Sequence, residues 1–308
     1  MEFSSIYIIA NQKAKHIETY GKNARKTEAN MSATREIITS RQNKTVSLIS
    51  SLEAKKARDR EELFRLDGVK LTCEAIKKGL DIYCIALLDS AADAVANKAK
   101  KLYGVDIFSL NTRLIFVNDS VFERLTDEKA PEGVVCAARY MKNMHRAIDD
   151  AGLIPSEAGE ENILLLESVR DPSNVGAIIR SAAAFGVDRI IMSSDCADIY
   201  NPKTLRASMG NMLSMKIDRV SDICAAIKRL QILGVSVYAA ALKSDSKKLG
   251  SGDFLGKSSV IIGNEGHGLS ESVLDACDET VYIPMADGVE SLNASVAAAI
   301  LTWEFFGK

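Results

Sequence analysis

Residues 163–194 read ILLLESVRDPSNVGAIIRSAAAFGVDRIIMSS, and this stretch decides the fold. "ILLLESV" is an apolar run of strand length. A polar cluster from Arg170 to Asn174 follows. Then comes a segment in which Ile178, Ile179, Ala182 and Phe185 recur at helical spacing. Gly186 closes that helix, and "RIIMSS" is strand-like again. Neither strand alternates polar with apolar, which is the pattern of a parallel sheet covered on both faces. A strand–helix–strand unit of this kind predicts an α/β fold.

The same rhythm extends in both directions. Downstream come "VSDICAAIKRLQILG" as a helix, "VSVYAAAL" and "SSVIIG" as strands, "LSESVLDAC" as a helix and "TVYIPM" as a strand. The chain closes with "LNASVAAAILTWEFFGK", apolar nearly all round, which predicts a helix buried against the sheet and against a second subunit. Upstream, "LFRLDGV", "IYCIALLD", "RLIFVND" and "GVVCAARY" read as strands with helices between them, and Ser120 with Glu123 reads as a capping box. "SRQNKTVSLISSLEAKKARDREE" reads as one helical segment. Residues 141–160 turn polar and hold Gly152, Pro155 and Gly159, so they read as a linker, with His145 a surface residue in it. The expected organisation is an extension over 1–38, a smaller α/β domain over 39–140, the linker 141–160, and a larger α/β domain over 161–308.

The chain has 308 residues, enough for two domains, and 47% are apolar, enough to bury a core in each. Net charge is only −2, but it is unevenly spread: residues 1–60 carry twelve basic and six acidic side chains, which leaves −8 on the remainder. A basic segment on an acidic body suits contact with phosphates, or else a solvated helix face. Its candidates for phosphate contact are Arg41, Lys44, Lys55, Lys56, Arg58 and Arg60. The six cysteines form no C-x-x-C pair and no histidine sits at ligand spacing, so no metal site is expected and reduced cytoplasmic thiols are. No apolar run reaches the ~20 residues of a membrane span. The early stretch "FSSIYIIA" lacks a basic leader and a cleavage pattern, so no secretory signal is expected.

Three loops of the second domain are candidates for chemistry, because ligands of such sheets sit at the carboxyl ends of strands. In the first, Asn174 reads as a helix N-cap and Gly176 as bare backbone beside a helix N-terminus, where anions bind. Arg180 is the lone charge of that helix, and taken alone it reads as an arginine that snorkels to solvent or pairs with a carboxylate. The second, "VIIGNEGHGLSE", has glycines at 263, 266 and 268 with Glu265 and His267 among them. Its G-x-x-G-x-G spacing is not the dinucleotide fingerprint G-x-G-x-x-G, and no such fingerprint occurs, which argues against a nucleotide-dependent oxidoreductase. The third, "YIPMADGVESLNASVAAAI", places Ser291, Asn293 and Ser295 where the last helix begins, either to cap it or to meet a ligand.

Together and in this order, "DPSNVGAIIR", "IIGNEGHGLS" and "IPMADGVESLNASVAAAI" resemble the three motifs of the SpoU (TrmH-like) RNA ribose 2′-O-methyltransferases of the SPOUT superfamily. Residues 39–140 resemble the family's smaller RNA-binding domain, similar to a ribosomal protein. The resemblance implies a deep trefoil knot in the C-terminal domain, which local rules would not suggest because knots are almost absent from folds. It implies S-adenosylmethionine as cofactor, held near Gly263, Ile283 and Leu292, and a homodimer. It carries Asn174, Arg180, Glu265, Ser291 and Asn293 over as the family's polar site positions, with Arg180 central to catalysis. The expected substrate is structured RNA, ribosomal before transfer RNA. A non-catalytic RNA-binding paralogue is the alternative, against which those polar residues argue.

Overall fold

A computed structural model of the chain describes residues 35–151, 154–251, 257–289 and 291–307. The apolar start "FSSIYIIA" and five of the basic residues counted above, from Lys13 to Lys26, lie outside the described residues.

The first domain follows the order β1 (Ile37–Ile38), α1 (Lys44–Ser51), α2 (Lys55–Glu61), β2 (Leu63–Asp67), α3 (Val69–Lys77), β3 (Ile82–Leu88), α4 (Ala92–Tyr103), β4 (Leu114–Val117), α5 (Asp119–Phe122) and β5 (Val134–Arg139). Its sheet runs β1-β4-β3-β5-β2, with β5 antiparallel to both neighbours. Strand β1 therefore belongs to this sheet, inside the stretch read as an extension. The single helical segment expected from residue 40 is two helices, because the guanidinium of Arg58 takes the carbonyls of Leu52 and Glu53 at 2.8 and 2.5 Å and ends α1 there. The cap of α5 is Asn118, which accepts from the Val121 amide at 3.1 Å, and not the Ser120 of the expected capping box.

The second domain continues with β6 (His145–Ile148), β7 (Ile163–Leu166), α6 (Pro172–Ala184), β8 (Arg189–Ser193), α7 (Pro202–Ala207), β9 (Lys216–Val220), α8 (Ile223–Ile232), β10 (Ser236–Ala240), β11 (Lys247–Lys248), β12 (Ser258–Ile262), α9 (Glu271–Ala276), β13 (Glu279–Tyr282) and α10 (Ala294–Phe306). Its eight strands lie in the order β11-β13-β10-β12-β7-β8-β9-β6, and each pair is parallel. Ile163 and Leu165 of β7 join the core on one face, Leu164 and Leu166 the core on the other, so the sheet is covered twice as its apolar runs demand. From β7 the chain leaves toward β8, and from β12 it leaves the other way, past β10 to β13. The carboxyl ends of β7 and β12 are thus a topological switch point, where such sheets open a crevice.

The stretch expected to be a linker is largely structure. Strand β6 is the edge of the large sheet, and its Arg146 makes two 2.7 Å hydrogen bonds to Asp218 of β9, which is fully buried. His145, expected on the surface, is packed in: Nδ1 lies 2.8 Å from the Tyr200 hydroxyl and Nε2 3.2 Å from the carbonyls of Met212 and Met215.

The two domains share one core, which runs from Phe64 and Leu66 of the small sheet to Leu164 and Leu166 of the large one. Tyr200 stacks on Tyr140 at 4.1 Å and meets Phe64 at 4.7 Å. Arg206 of α7 reaches Asp67 at 3.3 Å and Asp127 at 3.4 Å in the first domain. Burial pushes the Asp67 carboxyl up to about 6 in spite of Arg65 and Arg206 beside it.

Of the apolar residues of α10, Ala298 and Leu301 are buried against α6 and β12. Val296, Ile300 and Trp303, four and three residues apart on one face, stay 47, 37 and 50% exposed, so this helix is buried on one side only.

Candidate active site

Helix α6 starts differently from the sequence reading. Asp171 is the N-cap, accepting from the amides of Ser173 at 2.6 Å and Asn174 at 2.9 Å, and Pro172 fills the first helical position, where its missing N–H costs nothing. Asn174 lies one turn in, so its side chain is free for other work. Its Nδ2 donates to Glu265 Oε1 at 2.6 Å, and its Oδ1 accepts from Asn293 Nδ2 at 3.1 Å. Asn293 in turn caps α10, accepting from the Ser295 amide at 2.9 Å. One hydrogen-bonded chain, Asn293–Asn174–Glu265, therefore joins all three loops singled out in the sequence.

Gly176 does not cradle an anion. A Cβ there would stand 2.5 Å from the Thr204 carbonyl and 2.6 Å from Ala207 Cβ, so the glycine exists to let α6 lie against α7. Arg180, one turn further, is exposed and makes no hydrogen bond or ion pair among the described residues. The carboxylate partner that an incidental arginine would take is absent among the described residues.

The loop after β12 folds back on itself. Asn264 and Gly268 exchange two 3.0 Å backbone hydrogen bonds, Gly268 takes φ +69°, and Asn264 Oδ1 accepts from the amides of Gly266 and His267. Gly263 lies so close beneath that a Cβ would meet Gly268 backbone at 2.4 Å. Its role is this crossing of backbone on backbone. Asn264 Nδ2 also donates to the Ser168 carbonyl at 2.8 Å, and Glu167 binds the amide and hydroxyl of Ser270 at 2.9 and 2.7 Å. Sequence reading missed Asn264, Ser168 and Glu167, although their adjacency to Glu265 and to the "DPSN" stretch was the available signal.

Beside this chain a cavity of about 440 Å³ opens at the ends of β10, β12 and β13. Gly263, Ile283 and Leu292 line it, as do Glu265 and Ser291, whereas Asn174, Arg180 and Asn293 are not among its walls. Small-molecule sites run from ~300 to ~1,000 Å³ with mostly apolar walls. Here the walls are largely apolar side chains and glycine backbone, with Asn264, Tyr282 and Ser291 among them and one carboxylate, Glu265, bonded to Asn174.

The basic segment divides. Arg41, Lys44, Lys55, Lys56 and Arg60 are exposed on the first domain. Arg58 is not available to RNA: it is 1% exposed and bonded at 2.6 Å to Asp198 of the second domain. Residues 57, 58 and 61 share the inward face of α2, so a sequence of alternating charges hid one buried strut among surface cations. Among the described residues there is no cluster of three or more His, Cys, Asp or Glu able to hold a metal, and no helix long and apolar enough to cross a membrane.

The sequence profile described as the SpoU rRNA Methylase family matches residues 161–303, and that of the MRM3-like substrate binding domain matches residues 43–136. An uncharacterized tRNA/rRNA methyltransferase of Synechocystis is 30% identical over 269 residues, covering 87% of this chain and 92% of that protein. The 23S rRNA guanosine 2′-O-methyltransferase RlmP of Bacillus subtilis is 27% identical over 274 residues, covering 88% and 99%. The crystal structure of an AdoMet-bound rRNA methyltransferase from Sinorhizobium meliloti matches with a TM-score of 0.72 at 28% identity, covering 88% of this chain and 97% of that one.

Proposed function

Because the chain belongs to the SpoU family of RNA methyltransferases, we propose that it methylates a ribose 2′-hydroxyl of ribosomal RNA with S-adenosylmethionine as donor. The observation that carries this reading is the Asn293–Asn174–Glu265 chain, which sets polar groups from three loops at the edge of a cavity of cofactor size. The 23S rRNA methyltransferase RlmP and the Sinorhizobium rRNA methyltransferase support ribosomal RNA as substrate, and the latter's bound AdoMet supports the donor.

The donor supplies a methyl already activated on a sulfonium centre. The apolar and backbone walls at Gly263, Ile283 and Leu292 suit its holding, since they exclude water while leaving the polar chain at the rim. A ribose hydroxyl is a poor nucleophile, so the protein must align it and stabilise the charge that grows on its oxygen. Arg180, exposed and without a protein partner among the described residues, serves as the cation for that oxygen or for the adjoining phosphate. Its guanidinium stays protonated and is not the base. Asn174, Glu265, Ser291 and Asn293 orient the ribose. Arg41, Lys44, Lys55, Lys56 and Arg60 hold the RNA backbone through the first domain.

The same reading includes a homodimer through the exposed Val296–Ile300–Trp303 face of α10, and a trefoil knot, supported by the insertion of β12 between β10 and β7. The reading also includes the cytoplasm as the place where the chain works. The test is tritiated-methyl transfer to unmodified ribosomal RNA alongside calorimetry of donor binding. Arg180→Ala is expected to abolish transfer and leave donor affinity intact. Equal loss of both would remove Arg180 from catalysis, and no transfer by the natural chain would overturn the proposed activity.

A further inference from the structure

Ser168 sits in the left-handed region at φ +54°, one of three non-glycine residues with positive φ among the described residues. An L side chain there is strained, and such strain persists only where the surroundings over-determine it. The surroundings do so at every polar atom. The Ser168 amide donates to Ser193 Oγ at 2.9 Å, its hydroxyl donates to Asp195 Oδ2 at 2.6 Å, and its carbonyl accepts from Asn264 Nδ2 at 2.8 Å. Asp195 collects two further donors, Ser193 Oγ at 2.6 Å and Arg170 at 3.1 Å. Burial works against its charge, but the hydrogen bonds from Ser168, Ser193 and Arg170 outweigh burial and hold the carboxyl at about 2. Asp195 is thus a permanent acceptor at the end of β8.

This cluster lies outside the residues assigned above, yet it joins the ends of β7, β8 and β12. The Ser168 carbonyl fixes Asn264, the residue before Glu265, and Glu265 is the partner of Asn174. Resting on the proposed methyl transfer, we propose that Asp195 is a positioning residue for it: Asp195 holds the left-handed turn at Ser168, and through the Ser168 carbonyl that turn sets Asn264 and the Glu265–Asn174 pair. A separate backbone bond, Ala197 N–H to the Val169 carbonyl at 2.8 Å, keeps the two loops adjacent without Asp195, so its removal loosens the turn and spares the fold.

Glycine occupies positive φ freely, so a glycine at 168 no longer needs to be held. The experiment therefore compares the natural full-length chain, Asp195→Ala, and Asp195→Ala with Ser168→Gly. Hydrogen exchange of segments 167–175 and 264–270, measured by mass spectrometry with neither donor nor RNA, is expected to quicken in Asp195→Ala and return toward the natural rate in the double variant. In methyl transfer, Asp195→Ala should lower kcat on the order of 10- to 100-fold with the donor KM within about twofold, as misalignment without lost binding does. The double variant should regain most of that kcat. Unchanged exchange at 264–270 in Asp195→Ala, or a double variant no better than the single one, would overturn the assignment. A natural chain that exchanges as expected but transfers no methyl to ribosomal RNA would instead overturn the proposed activity and leave the mechanical link standing.

Discussion

Asn174 and Glu265 lie 91 residues apart in sequence and 2.6 Å apart in space, amide donor to carboxylate acceptor. Each belongs to its own loop, and the switch point between β7 and β12 is what brings the loops together. A contact this short between an amide and a carboxylate orients both groups, which is what a reaction governed by alignment requires.

Asn174→Asp keeps the shape of the side chain and replaces the donor with a second carboxylate. Two carboxylates at this distance repel, and one of them takes up a proton at a raised pKa. Methyl transfer is expected to fall on the order of 100-fold at pH 8 and to recover in part as the pH is lowered and a shared proton restores the hydrogen bond. A pH–rate profile of the variant parallel to that of the natural chain would show that the pair does not act as described.

Arg58 and Lys56 are two residues apart and have opposite duties. Arg58→Ala leaves Asp198, only 12% exposed, without its cation, and breaking such a buried pair costs about 3–5 kcal/mol. Its melting temperature should drop, with the salt dependence of RNA binding unchanged. Lys56→Ala should melt like the natural chain but reduce the slope of log affinity against log salt by about 0.7 to 0.9, one phosphate contact. Melting curves and salt titrations of the two variants separate the roles.

What could be read in the sequence was what local pattern determines. The strand Ile163–Leu166 is an unbroken apolar run, Ser258–Ile262 ends in one, and the helix Pro172–Ala184 has its spacing and its closing Gly186. Strand β6, "HRAI", read as linker and β9, "KIDRV", was not read as a strand, because the charge of Arg146 in the one and of Asp218 in the other is satisfied across the ladder, Arg146 and Arg189 both on Asp218. The same limit applies at the site. The residue types of Asn174, Glu265 and Asn293 were legible, but that they form one chain depends on sheet order. Asp195 and Ser168 carried no local signal, since the bond between them spans 27 residues and the strain at Ser168 is a property of backbone angles.

Gly176 is fixed by packing and can be tested as such. In Gly176→Ala the new methyl group meets the Thr204 carbonyl and Ala207 Cβ inside contact distance, and α6 must shift from α7. Overpacking of this kind costs about 1–3 kcal/mol. For a chain of this size a fall in Tm of roughly 2–5 °C is expected. Since α6 carries both Asn174 and Arg180, methyl transfer should fall as well, whereas a neutral substitution would mean that the helices have room to spare.

His145 supplies a pH dependence whose sign follows from its contacts. Nε2 faces the carbonyls of Met212 and Met215, so it carries the hydrogen, and Nδ1 accepts from the Tyr200 hydroxyl, which itself accepts from the Met141 amide at 2.8 Å. The ring is neutral. Burial outweighs those carbonyls and the distant charge of Asp218 and lowers its pKa to about 4. The unfolded chain binds this proton near pH 6.5 and the folded one does not. Stability from His145 is therefore complete above pH 6.5 and is lost as pH falls toward 4, at about 1.4 kcal/mol per unit. Urea unfolding of the natural chain and of His145→Gln checks this, because groups common to both cancel in the difference. The advantage of histidine over glutamine should shrink steadily between pH 6.5 and about 4 and stay constant above that window, and two parallel stability curves would show that the folded chain takes up the proton as readily as the unfolded one.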